Sequence, residues 1–357
     1  MQLDERNLPA LARGCAILGA GGGGDTAVGL LMALQAVQDH GPVPVVDLDD
    51  LPDEALIMPC GGIGAPTVSI EKIESGDEVF RLKEQVERLW DQPVVALMAG
   101  EIGGSNGLLP VAWAARAGLP LVDADGMGRA FPQVPQVSME IAGISPSPGV
   151  MTDERGNVVV FRAISGEWME RMERTVSVEF GGMASSTEYQ MTAAQAREAT
   201  VRGSVSLAVR IGRAVLEAAD DPVRALVEEV RGVVLIEGKI ADVERQTRGG
   251  FVYGAATVEG LRADAGRLLR LEIQNENLVA MEEGEPLAMV PDIITVLDTE
   301  TANAISTERL RYGQRVSVTA FPCDPIWRTE RGLEIAGPTA FGYEFDYVPV
   351  EALHARR

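Results

Sequence analysis

Short apolar runs that end in glycine-rich loops recur along the first third of the chain, and few architectures accept that pattern. Ala55 to Pro59 leads into Cys60-Gly61-Gly62-Ile63-Gly64, Pro93 to Ala99 into Gly100-Glu101-Ile102-Gly103-Gly104, and Leu119 to Val122 into Asp123-Ala124-Asp125-Gly126-Met127-Gly128. Val43 to Leu48 reads as a further strand. Helical periodicity covers Glu78 to Trp90 and Leu108 to Ala117, between the strands. Strands alternating with helices predict an α/β layer built on a mainly parallel sheet. Parallel strands place their C-terminal exits on one edge, where open sheets bind ligands.

Upstream, Asn7 to Leu18 is helical in spacing and runs into Gly19-Ala20-Gly21-Gly22-Gly23-Gly24, after which Asp25-Thr26 opens a second helix. Downstream, Gly143 to Gly149 with Pro146 and Pro148 breaks the pattern, and Thr152 to Ala163 reads as a hairpin turning at Arg155-Gly156. A chain of 357 residues exceeds what one core usually holds. Two domains are therefore expected, an α/β domain over 1–165 and a β-rich α+β domain over 166–357. Within the second, Glu167 to Arg174 predicts a helix, Gly181 to Thr187 is a strip of small residues, and Ala193 to Leu216 predicts one long helix. From Gly232 the texture becomes period-two runs such as VVLIEGKIADVER and LLRLEIQNENLVA, which predict a sandwich or barrel.

Composition excludes several functions. Asp and Glu number 53 against 31 Lys and Arg, a formal charge of −22, so nucleic acid and anionic membrane surfaces are not expected partners. Only His40 and His354 are present, both read as surface residues, which leaves no material for a serine–histidine–aspartate triad or a multi-histidine metal site. Cys15, Cys60 and Cys323 are too scattered for a disulfide framework. With a polar, acidic start and no long apolar run, the expectation is a soluble protein of the reducing cytoplasm.

The chemistry-bearing residues cluster at the loops. Gly22 and Gly23, before the helix capped by Asp25, can present backbone N–H groups to an anion, or serve only as a tight connection. Cys60 is a conceivable nucleophile without a histidine partner, with Glu71 shortly after its loop. Glu101 and Asn106 follow one strand; Asp123, Asp125 and Arg129 follow another. Converging strand exits would gather these groups at one edge, with Glu101 and Asp123 in one site, as a general acid/base pair or as oxygen ligands for a hard metal ion. The cofactor is left open, a divalent metal ion being one route. In the second half, Gln274-Asn275-Glu276-Asn277 ends an alternating strand with four polar groups; Glu276 is expected to act beside the first-domain acids, with Asn275 and Asn277 binding substrate in a cleft between domains. Trp327, Phe341, Tyr343 and Tyr347 read as domain packing.

Taken together and in order, LGAGGGGDT, MPCGGIGAPTVSIEK, GEIGGSNGLLP, VDADGMGRAFP, GKIADVER, QNENLVA and GPTAFGY resemble the bacterial DUF917 family, named after S-methyl thiohydantoin desulfurase. The resemblance covers nearly the whole chain. It implies an N-terminal α/β domain and a β-rich C-terminal domain. It also implies the company of hydantoinase- and oxoprolinase-like amide hydrolases, hence a small cyclic ureide or lactam as substrate. Two functions are expected from it: a hydrolase of hydantoin- or thiohydantoin-type rings using carboxylate- or metal-activated water, or a non-catalytic accessory subunit of a hydantoinase-like partner. A homo-oligomer is expected in either case.

Overall fold

A computed structural model describes residues 1–65, 68, 71–248 and 251–355; Pro66 and Thr67 of the second glycine loop lie outside the described residues. The first sheet has ten strands: β1 (Gln2–Leu3), β2 (Val43–Val46), β3 (Leu56–Gly64), β4 (Val94–Ala99), β5 (Leu121–Asp125), β6 (Gly149–Thr152), β7 (Val158–Phe161), β8 (Met183–Thr187), β9 (Met191–Thr192) and β10 (Val201–Arg202). Its order is β1-β2-β5-β4-β3-β8-β6-β7, with β9 on β3 and β10 on β5. Strands β2, β5, β4 and β3 are parallel, and the flanking pairs are antiparallel. The second sheet is a half-barrel, wholly antiparallel: β11 (Val233–Arg248), β12 (Phe251–Gly260), β13 (Leu268–Gln274), β14 (Glu276–Glu282), β15 (Glu285–Met289), β16 (Ile293–Asp298) and β17 (Arg315–Phe321), ordered β15-β14-β13-β12-β11-β17-β16. The change of texture at Gly232 marks its start.

Side-chain alternation on the parallel strands divides the interior. Met58, Leu97 and Leu121 face helices α1 (Leu8–Leu18), α2 (Thr26–His40), α3 (Glu78–Trp90) and α4 (Leu109–Ala117), forming one core. Ile57, Ala96, Met98 and Val122 face the other way. They meet α5 (Ser138–Ile141) and a layer that includes Leu278, Met289 and Trp327 from the second half of the chain. A third core, with Ile236, Val258, Leu271 and Val318, fills the half-barrel. The parallel sheet is thus buried on both faces, which accounts for the continuous apolar runs seen in sequence.

Residues after 165 do not leave the first unit at once. Helix α6 (Gly166–Glu179) leads to β8, which inserts beside β3, and β9 continues along the same edge, pairing the start of β3. The expected long helix from Ala193 to Leu216 is two helices, α7 (Ala193–Ala199) and α8 (Ser204–Leu216). Thr200 turns extended, Val201 and Arg202 pair with Asp125 and Ala124 of β5, and Gly203 adopts φ 76°. Helical periodicity continued across this break, but the backbone hydrogen bonds there go to β5. Gly14 of α1 rests on Ala208 of α8, and Gly212 of α8 on Ala10 of α1, so closely that a Cβ at either glycine would overlap a backbone oxygen. Helix α9 (Pro222–Val230) then leads into the half-barrel, while α10 (Glu330–Ala336) packs against α5 and α11 (Val350–His354) closes the chain against the half-barrel strands β15 and β17.

Candidate active site

A half-open cavity of about 160 Å³ lies at the C-terminal edge of the parallel strands, where β3 and β4 end in their glycine loops. Gly23 and Gly24 of the first glycine loop, Cys60 to Gly64 of β3, and Gly100 and Glu101 after β4 form part of its wall. Asn275 and Glu276 of the half-barrel form another part, so the cavity sits between the two sheets. Phe131 to Val134 and the segment Ser186 to Tyr189 contribute further lining. Typical pockets for drug-sized ligands span about 300–1,000 Å³.

Glu101 is held at both carboxyl oxygens. It is 7% exposed; one carboxyl oxygen accepts from Asn106 Nδ2 at 2.8 Å and the other from the Phe131 amide at 3.2 Å. Asn106 is itself fixed, its Oδ1 accepting from the Gly62 amide at 2.8 Å. Burial pushes the Glu101 carboxyl up to about 7, opposed by those two donors. Glu276 is 2% exposed, and its Oε2 has no hydrogen-bond partner. Burial, and next the neighbouring Glu101 charge, push Glu276 well above the usual carboxylate range. The Arg129 guanidinium pulls against both shifts.

Why these groups sit here follows from three anchors. Asp125, wholly buried at the end of β5, accepts amide hydrogen bonds from Ile102 at 2.8 Å, Met127 at 3.0 Å and Gly128 at 2.8 Å. It ties the β4 exit loop to its own, and so fixes the residue next to Glu101. Burial pushes Asp125 up to about 7 against those donors. Arg129, also wholly buried, donates to Pro291 O at 2.7 Å, Asp292 O at 2.9 Å and Ala130 O at 2.9 Å, with its guanidinium 4.5 Å from the Phe131 ring centroid. It joins the two halves behind the cavity. Asn277 does the same: its amide and Nδ2 donate to Ala20 O at 2.8 and 2.9 Å, and Nδ2 also to Ile294 O at 3.1 Å.

The sequence candidates therefore separate. Glu101, Glu276, Asn106, Asn275, Gly23 and Cys60 line the cavity; Asp123, Asp125, Arg129, Asn277, Gly22 and Asp25 do not. Glu101 and Asp123 do not meet in one site. Asp123 turns to α8, accepting from the Ser206 amide at 2.9 Å and from its hydroxyl, because β10 carries that helix N-terminus against β5. Asp25 caps α2 by accepting from Ala27 N at 2.8 Å and pairs with Arg309. Gly22 lies directly under the Glu276 carboxyl. Asn275 adopts φ 56° and accepts from Val252 N at 2.9 Å. Cys60 Sγ donates to Met98 O at 3.6 Å, and burial pushes its thiol up, away from the thiolate. Glu71 is exposed, as is His40 at the end of α2. Among the described residues no group of three or more His, Cys, Asp and Glu side chains is placed to hold a metal ion. Trp327 is wholly buried, donating to Met127 O at 2.7 Å.

Residues that sequence reasoning missed line the far wall. Ser186 lies in the small-residue strip Gly181 to Thr187 and Glu188 follows it, and Arg174 of α6 closes the cavity while bonding Glu170 at 2.6 Å and Pro132 O at 3.0 Å. The available signal was a strip of small residues running into Glu188-Tyr189.

No helix among the described residues is long and apolar enough to cross a membrane. No curated protein matches the chain. A crystallised protein from Chromobacterium violaceum shares the fold, with a TM-score of 0.82 and 23% identity over 98% of this chain and 100% of that one. Family models for the S-Me-THD-like N-terminal domain and the S-Me-THD-like C-terminal domain match residues 6–163 and 164–350 in turn. The chain thus belongs, over nearly its whole length, to the S-Me-THD-like family.

Proposed function

We propose that the protein is a hydrolase of small S-methyl thiohydantoin- or hydantoin-type rings, using water activated by a carboxylate. The observation that carries this reading is the pair Glu101 and Glu276, two buried carboxyls from different sheets on the wall of one small cavity. Their surroundings divide the labour. Glu101, held by two donors and titrating near neutrality, is the base that takes a proton from water. Glu276, kept neutral by burial and by the charge of Glu101, is the acid that protonates the ring nitrogen as water adds to the carbon bearing sulfur. When the C–S bond breaks, the hydroxyl proton of the adduct returns to Glu276, leaving a carbonyl, and the C–S electron pair departs with sulfur as a thiolate that then takes up a proton. Membership of the S-Me-THD-like family supports the ring class.

The test is a turnover screen of the purified protein over S-methyl thiohydantoins, thiohydantoins, hydantoins and lactams, following thiol release or ring opening. Release of a thiol from an S-methyl thiohydantoin is the expected result. Binding of these rings without turnover would instead assign the chain an accessory role beside a hydantoinase-like partner.

A further inference from the structure

The wall that carries Glu188 holds a second pair of carboxyls. Glu188, after β8, lines the cavity, and behind it stands Glu173 of α6, which is 0% exposed. The two carboxyls lie within hydrogen-bonding reach of each other, and the Ser186 hydroxyl also reaches Glu188. Among the described residues no donor group reaches either oxygen of Glu173 or Oε1 of Glu188. Two carboxyl groups can be joined in this way only by a proton between them, since two bare carboxylates repel and leave buried oxygens unsatisfied.

The neighbouring groups do not supply a substitute. The Arg174 guanidinium is engaged by Glu170 and the Pro132 carbonyl, Tyr189 Oη donates to Glu140 at 2.8 Å, and the Cys60 thiol donates to Met98 O. Glu170 adds a further negative charge to both members of the pair. Burial and the neighbouring acids both favour a proton kept on the pair, against the pull of the Arg174 guanidinium on Glu173.

We propose that Glu188 and Glu173 share one proton, and that Glu188 is a further catalytic residue, delivering this proton to the sulfur that leaves. Glu173 is its positioning residue. The role rests on the hydrolase reading above and completes its balance. Glu101 gains one proton from water, Glu276 gives one to the ring nitrogen and recovers one from the hydroxyl, and Glu188 gives one to sulfur as the C–S electron pair departs with it. Water plus the S-methyl ring thus becomes the carbonyl ring plus a thiol. Exchange with solvent then moves the surplus proton on Glu101 back to the Glu188–Glu173 pair.

Two readouts separate this from the function itself. The first is a carbon-13 NMR titration of glutamate-labelled full-length protein without ligand, over roughly pH 5 to 9, with the pair assigned by Glu173→Gln and Glu188→Gln. The expected result is one retained proton on the pair at neutral pH, and a Glu188 titration lowered by about one unit or more in Glu173→Gln, whose amide would donate to an ionised Glu188. Two ionised carboxyls at neutral pH in the unmodified protein, or an unmoved Glu188 in the variant, overturn the shared proton. The second readout uses whichever ring compound the screen shows to be turned over: Glu173→Gln should lower kcat about tenfold or more with little change in KM. Unchanged kcat overturns the catalytic role. Failure of every ring compound overturns the reaction and Glu188's part in it, while the titration decides the shared proton by itself.

Discussion

Gly22 lies beneath Glu276 so closely that a methyl group on its Cα would overlap the Glu276 carboxyl oxygen Oε1. One residue comes from the first glycine loop and the other from the half-barrel, so a single backbone contact sets where the half-barrel acid enters the cavity. Gly22→Ala should displace Glu276 without emptying a core. The expected outcome is a folded protein whose turnover falls by about tenfold or more, the order expected when a reacting group moves by about 1 Å. Far-ultraviolet circular dichroism and kcat on the same preparation check it, and wild-type turnover would show that the contact does not position the acid.

The buried acids make stability depend on pH in a definite direction. Glu74, Glu101 and Asp125 are each pushed up to about 7, chiefly by burial. A carboxyl raised in this way binds its proton more tightly folded than unfolded. Its stabilising contribution is complete below the unfolded pKa near about 4 and is lost as pH rises through about 7. The melting temperature should therefore fall between about pH 5 and pH 8, and Glu101→Gln should flatten part of that fall. Equal slopes for the variant and the parent would remove Glu101 from this set.

Arg129 is expected to matter for folding more than for chemistry. It satisfies the Pro291 and Asp292 carbonyls and offsets the Glu276 and Glu101 charges from behind the cavity. Arg129→Met leaves those groups unpaired in the interior, so urea unfolding should show a loss of about 3–5 kcal/mol. A loss below about 1 kcal/mol would mean that water reaches those carbonyls.

Cys15, Cys60 and Cys323 are all buried, and burial pushes each thiol up, so none is a ready nucleophile. A disulfide thiol reagent should label no cysteine of the native protein quickly, and all three after unfolding. Cys60→Ala should keep most of the turnover. Rapid native labelling of Cys60 together with an inactive variant would return it to the candidates for covalent chemistry.

Much of the scaffold was legible because it rests on local pattern. The apolar runs ending at Ala99 and near Val122, and the alternation after Gly232, carry their own periodicity, and each became a strand. The segment from Thr200 to Gly203 was not legible, since its strand pairing with β5 depends on a partner about 80 residues upstream. The same pairing explains Asp123. Its neighbours along the chain suggested a strand-exit acid, but the helix that claims it arrives from Ser204 to Ser206. Glu101 and Glu276 could be picked out because glycine or polar neighbours break an apolar run around them. Glu173 could not, because it occupies the inward face of a helix rich in charge, where one more glutamate carries no signal.

The central claim is that the cavity between the two sheets hydrolyses a small ring with Glu101 as base and Glu276 as acid. The most direct measurement is thiol release from an S-methyl thiohydantoin by the parent protein and by Glu276→Gln, with thermal melts of both. The account predicts turnover by the parent, a loss of about a hundredfold or more in the variant, and a melting temperature equal or higher in the variant, since a buried acid is replaced by a neutral amide of the same shape. Turnover by Glu276→Gln equal to that of the parent would contradict it.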